Sequence, residues 1–218
     1  MNIAIFGGTF DPIHTGHLRA AKAAARRFRL DRILFIPSGT PPHKLRDRLT
    51  PFPHRYAMVA LACGADRRFV PSLLEAPKRD GKPHYSIETV RRLKRQLKAR
   101  DRIFFLIGAD AFLDLPHWKQ FQKLFDLVNF IVVSRPGFRN GEIWKALPPE
   151  QVAAGEKRSA SQAIRLRRTT VYVLKGVNSP VSSHEIRKAV QAGRSVTGLV
   201  PPLVEQYISK EALYRPGR

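Results

Sequence analysis

Cysteine is almost absent from this chain: Cys63 is the only one in 218 residues. A single thiol excludes a disulfide framework within the chain, which agrees with a reducing, cytoplasmic setting. Long apolar runs are missing too. None approaches the roughly 20 residues of a membrane-spanning helix, and no basic segment leads into an apolar stretch as a signal peptide would. Acidic residues are scarce, 17 Asp+Glu against 39 Lys+Arg, for a net charge of +22. Such an excess points either to a polyanionic partner or to solvated faces. Solvated faces account for most of it. Arg91, Arg92, Lys94, Arg95, Lys98 and Arg100 read as the outer side of a helix, and 156–168 (EKRSASQAIRLRR) as part of a mobile surface loop over 155–168. A nucleic-acid interface would interleave aromatic residues with its cations. The stretch 156–168 has none, which counts against nucleic acid as a partner.

What is present is an alternation of short β-rich runs and helical patterns. Strands are expected at 2–6, 32–36, 68–73, 102–107, 129–134 and 170–174. Leu18, Ala21, Ala25 and Phe28 recur near helical spacing between the first two. Further helices are expected at 52–63, 86–99 and 202–213, with Pro201 and Pro202 opening the last. Ser182 and Glu185 have capping-box spacing before Ile186 and Val190. Residues 141–154 read as short helical pieces. This order implies an α/β, Rossmann-like, doubly wound parallel sheet. Runs such as Phe104-Phe105-Leu106-Ile107 suit strands covered on both faces. A small helical C-terminal subdomain, 181–218, follows a core at 1–180.

The chemistry concentrates in GGTFDPIHTGH at 7–17. Gly7 and Gly8 follow the first strand, where they let backbone N–H groups approach a phosphate, and a helix start adds positive potential. Neither the GxGxxG nor the Walker pattern fits. His14 and His17, three apart, lie on one side of the helix entry. They could be capping or core histidines, or metal ligands with Asp11 and His43, or donors to a phosphate. The coincidence with two glycines, a strand end and a helix start favours the last.

The stretch GGTFDPIHTGHL resembles the signature of the nucleotidyltransferase superfamily, whose T/HxGH motif is His14-Thr15-Gly16-His17 here. The resemblance extends along nearly the whole chain to the bacterial nicotinate-nucleotide adenylyltransferase family. It runs through Pro41-Pro42-His43-Lys44, Tyr85-Ser86, Ile107-Gly108-Ala109-Asp110, Leu115-Pro116-His117-Trp118, Ser134-Arg135-Pro136-Gly137 and Ser182-Ser183-His184-Glu185-Ile186-Arg187. One departure stands out. The family's Ser-x-Thr-x-x-Arg reads Ser182-x-His184-x-x-Arg187, with an imidazole where a hydroxyl is usual.

The resemblance implies adenylyl transfer from ATP to nicotinate mononucleotide, giving deamido-NAD and pyrophosphate, a step of NAD biosynthesis. It implies that Mg²⁺ arrives with ATP, so that no protein metal site is needed. His14, His17 and Arg187 would be catalytic. Gly7, Gly8, Thr9, Ser183 and Arg187 would join the histidines in binding ATP. His43, Lys44, Tyr85, Ser86, Gly108, Asp110, Trp118 and Lys119 would bind the nicotinate nucleotide. In that set Trp118 stacks on the ring, and backbone N–H groups near Ser86 and Lys119 receive the carboxylate. The Lys119 ammonium is further expected to add positive charge there. Asp110 reads equally as a helix cap. The neighbouring readings are a nicotinamide mononucleotide or a phosphopantetheine adenylyltransferase. The latter family is shorter and lacks the Pro-Pro-His-Lys and Leu-Pro-x-Trp segments. The sequence leaves monomer and homodimer both open.

Overall fold

The computed structural model describes residues 1–40, 49–78, 80–134, 140–156, 162–177 and 180–215. His43 and Lys44 lie outside the described residues. Along the chain run β1 (Asn2–Gly8), α1 (Thr15–Arg27), β2 (Arg32–Pro37), α2 (Phe52–Cys63), β3 (Phe69–Pro71) and α3 (Ser86–Gln96). Next come β4 (Arg102–Gly108), α4 (Ala109–Leu113), a 3-10 turn (Leu115–His117), α5 (Phe121–Leu127) and β5 (Asn129–Val133). After them lie α6 (Ile143–Ala146) between two 3-10 turns, β6 (Ala163–Arg165), β7 (Thr170–Leu174), α7 (Ser183–Gln191) and α8 (Pro202–Lys210).

The strands form one sheet in the order β3-β2-β1-β4-β5-β7-β6. All pairs are parallel except β6 with β7. The winding runs outward from β1 to β3 and then returns to β4 on the other side of β1. The crevice at the carboxyl ends of β1 and β4 is therefore the topological switch point, where such sheets bind ligands.

Each central strand feeds both faces. Phe104 and Leu106 of β4 enter one core with α1, α2, α7 and α8. Ile103, Phe105 and Ile107 enter the other with α3, α4, α5 and α6. This two-sided burial is what the uninterrupted apolar run encodes. Helix α1 lays Ala21, Ala24 and Ala25 on the sheet, and these small side chains allow close approach. The C-terminal residues Ile186, Val204, Ile208 and Leu213 belong to the same core as Ala4 and Phe6.

Several boundaries differ from expectation for identifiable reasons. Strand β3 stops at Pro71, which has no N–H to continue a ladder. Helix α3 ends at Gln96 because Asp101 draws the chain into a turn, accepting from the Lys98 N–H at 3.0 Å and from the terminal ammonium at 2.6 Å. Helix α8 closes at Lys210, where Ala212 turns left-handed and the Leu213 N–H donates back to Ile208. The expected loop over 155–168 is corrected at its end. Residues Ala163–Arg165 form β6, with Ile164 and Leu166 buried and Arg165 exposed between them. That period-2 alternation is masked in the sequence by its arginines.

Candidate active site

The chain leaves β1 through Gly7 and Gly8 and turns on Phe10, which has φ 49°. A Cβ at Gly7 would meet nothing within 4 Å, whereas one at Gly8 would press on the Phe10 ring at 3.2 Å. Phe10 plugs the loop into the core, edge-on to Phe6 at 5.7 Å between ring centroids. His17 stands edge-on to the same Phe10 ring at 5.0 Å. The histidine therefore rests on an apolar wall.

His14 is the N-cap of α1, and its ring lies 3.7 Å from that of His17. Nδ1 of His17 accepts the backbone N–H of His14 at 3.2 Å. In the neutral ring the proton then sits on Nε2, which becomes a donor. Burial first, and the adjacent His14 second, hold the pKa of His17 well below its ordinary value. His17 thus presents a donor without a desolvated charge of its own.

Helix α7 is fastened to this loop. Ser182 caps it, accepting from the Glu185 N–H at 3.2 Å. Ser183 Oγ donates to the Pro12 carbonyl at 2.9 Å, and Arg187 Nη1 donates to the Asp11 carbonyl at 2.7 Å. The N-termini of α1 and α7 are thereby held together, and two helix starts side by side favour anionic oxygens. The Ser183 hydroxyl proton is already used, so its helix-start N–H and its oxygen are what remain for a ligand. His184 is exposed.

Beyond Gly7, Gly8 and Thr9 a cavity of about 290 Å³ reaches Ser86, Gly108 and Trp118. Trp118 is half-buried, its Nε1 donating to Asp114 at 3.2 Å and its ring 6.1 Å from Phe105. Ser86 is the first residue of α3, a position whose N–H has no partner within the helix. Gly108 is the N-cap of α4, so Asp110 sits in the first turn instead of capping it. Asp110 is exposed at the carboxyl end of β4. The Lys119 ammonium lies over the Tyr85 ring at 4.0 Å and pairs with Glu88 at 3.1 Å. Its charge is thus partly neutralised on the α3 side, which lessens the cationic role expected of it. A larger cavity, about 540 Å³, opens at the opposite, amino ends of β4, β5 and β7. It holds none of the motif residues.

Residues 5–189 match the cytidylyltransferase-like family. A Geotalea daltonii protein described as "probable nicotinate-nucleotide adenylyltransferase" is 41% identical over 223 residues, covering all of both chains. One from Geobacter sp. strain M21, with the same description, is 42% identical, again over both full lengths. The chain belongs to the nicotinate-nucleotide adenylyltransferase family. Among solved structures, Plasmodium falciparum nicotinic acid mononucleotide adenylyltransferase complexed with NaAD superposes with a TM-score of 0.71 at 21% identity. The alignment covers 98% of this chain and 97% of that one. The complex of the same enzyme with APC gives 0.70 at 20%, covering 98% and 96%. The fold is therefore that of the family.

The family motifs converge at one crevice: His14, His17, Ser183 and Arg187 on one side, and Ser86, Gly108, Asp110 and Trp118 on the other. Motif reading passes over what lies beneath. Asp11 is buried, its carboxylate accepting from Tyr214 Oη at 2.7 Å and from the Thr50 N–H at 3.2 Å. Burial and the charge of Asp11 raise the Tyr214 pKa. Glu75 lines the cavity and accepts from Thr89 Oγ1 at 2.7 Å. Burial pushes its carboxyl above the usual range, against the pull of that hydrogen bond. Arg55 is 2% exposed. Its sequence signal is an arginine on the helix face that also carries Met58, Val59 and Ala62.

Proposed function

We propose that this protein transfers the adenylyl group of ATP to nicotinate mononucleotide, releasing deamido-NAD and pyrophosphate. The carrying observation is that the His14–His17 pair and the start of α7, tied to the histidine loop, stand side by side on one wall of the crevice, next to a cavity walled by Trp118.

The nucleophile is a phosphate oxygen of the mononucleotide. It attacks the α-phosphorus of ATP as the bond to the β-phosphate bridging oxygen breaks, and pyrophosphate leaves with that electron pair. No protein nucleophile or base is required. The protein's share is alignment and charge dispersal. His17 Nε2–H and the helix starts donate to the oxygens that gain charge, and Arg187 keeps further guanidinium N–H groups for phosphate.

Mg²⁺ enters as part of the ATP substrate. Among the described residues no group of three His, Cys, Asp or Glu is placed to hold a metal ion. The N–H of Ser86 and the backbone beside Lys119 suit a carboxylate on the pyridine ring. Nicotinamide would return those bonds less well. Pyrophosphate release with Mg²⁺-ATP and either mononucleotide tests both parts. Release is expected with nicotinate mononucleotide and much slower release with the amide. Equal rates would remove the acid-selective pocket, and no release with either would remove the reaction.

A further inference from the structure

Arg55 is a charged side chain in the core, and removing a guanidinium from water costs several kcal/mol. Burial lowers its pKa, opposed by Asp11 and Tyr214. No carboxylate among the described residues lies within ion-pair distance of it. Its donors go to backbone carbonyls instead: Nε to Thr50 at 2.8 Å, Nη1 to Thr9 at 2.8 Å and Nη2 to Gly39 at 3.5 Å. Thr9 belongs to the histidine-bearing loop. Gly39 and Thr50 lie where the chain leaves β2 and where it enters α2. An apolar residue on this face of α2 would satisfy packing at lower cost. What it could not do is join three separate carbonyls.

The second side of Gly39 is fixed as well. A Cβ there would lie 2.0 Å from the Glu75 carbonyl oxygen. Glu75 in turn is tied to Thr89 of α3 and lines the cavity. A continuous chain of contacts therefore runs from Thr9 through Arg55, Gly39 and Glu75 to α3, round one side of the crevice.

We propose that Arg55 is a positioning residue for adenylyl transfer, setting the spacing between the histidine loop at Thr9 and the chain at Gly39 and Thr50. This rests on the reaction proposed above. Phosphoryl chemistry driven by alignment is sensitive to displacement, and a shift of about 1 Å is enough to cost roughly 10²-fold in rate.

Arg55→Lys keeps the charge and loses the planar fork. Its kcat/KM for pyrophosphate release is expected to fall about 10²-fold, mostly in kcat, at a temperature where circular dichroism shows it folded. Hydrogen exchange should quicken at the amides near Thr9, Gly39 and Thr50 and stay unchanged in β4. A folded variant with unchanged kcat/KM, whatever its melting temperature, overturns the proposal. If Arg55→Lys does not fold, Gly39→Ala decides: a comparable loss of kcat supports the role and a full rate overturns it. Wild-type protein that releases no pyrophosphate would remove the reaction. The exchange pattern would then still decide whether Arg55 holds the two loops.

Discussion

Replacing His17 by glutamine and by asparagine should separate the two ring nitrogens. Glutamine places an amide nitrogen near the position of Nε2, whereas asparagine places one near Nδ1. Because Nδ1 accepts from the His14 N–H, the donor is Nε2. Loss of one preorganised donor to a developing oxyanion costs about 10²–10³ in kcat, or ~3–4 kcal/mol. His17→Asn should lose that full amount and His17→Gln about tenfold, with KM for ATP moving less than kcat. The assay is the initial rate of pyrophosphate release between about pH 6 and 8, taken as the ratio of variant to wild type so that the substrates' own titrations cancel. With its pKa well below 6.5, His17 stays neutral across that range, and the ratio should be flat. An asparagine variant as fast as the glutamine one, or a ratio that breaks near 6.5, would refute the neutral Nε2 donor. Stability carries the same signature. The native pKa lies below the unfolded value of 6.5, so the unfolded chain takes up a proton that the native ring refuses. The ring's stabilisation is complete above 6.5 and is lost as pH falls from there toward the native pKa. Thermal melting of His17→Gln should lack that component.

Two further outcomes follow from other contacts. Trp118→Ala should raise KM for nicotinate mononucleotide by about 10–100-fold through lost stacking, leaving KM for ATP near wild type; parallel rises in both would show that the ring only supports the fold. Tyr214→Phe removes the 2.7 Å bond to Asp11. It should cost about 2 kcal/mol and lower the melting temperature by roughly 4–8 °C, and calorimetry showing no change would mean that Asp11 finds another donor.

The parts of this molecule that are legible in its sequence are those where a local pattern has one physical solution. Phe104-Phe105-Leu106-Ile107 can be satisfied only by a strand with a core on each side, and such a core stands on each side. Ser182 and Glu185 announce a cap, and the cap is there. Where a pattern has two solutions, composition misleads. Arg165, Arg167 and Arg168 make 155–168 look like solvent-facing loop, yet Ile164 and Leu166 need burial and add an antiparallel strand at the sheet edge. Lys119 looks like a free cation because its partner, Glu88, is 31 residues away. Arg55 is invisible to motif reading because its partners are carbonyls, which carry no sequence signature. The histidine pair and Trp118 are legible as residue types, but the shared crevice between them depends on β1 and β4 being neighbours, a fact of topology.

The bond between Tyr214 and Asp11 joins residues 203 positions apart. During synthesis the histidine loop therefore emerges long before the residue that ties down its carboxylate. A chain halted before Tyr214 carries the T/HxGH motif on a loop whose buried Asp11 lacks the Tyr214 bond, and a chain halted before Ser183 also lacks α7. Translation itself therefore orders the assembly: the T/HxGH loop is fully tied only after α7 and the residues beyond α8 have been made.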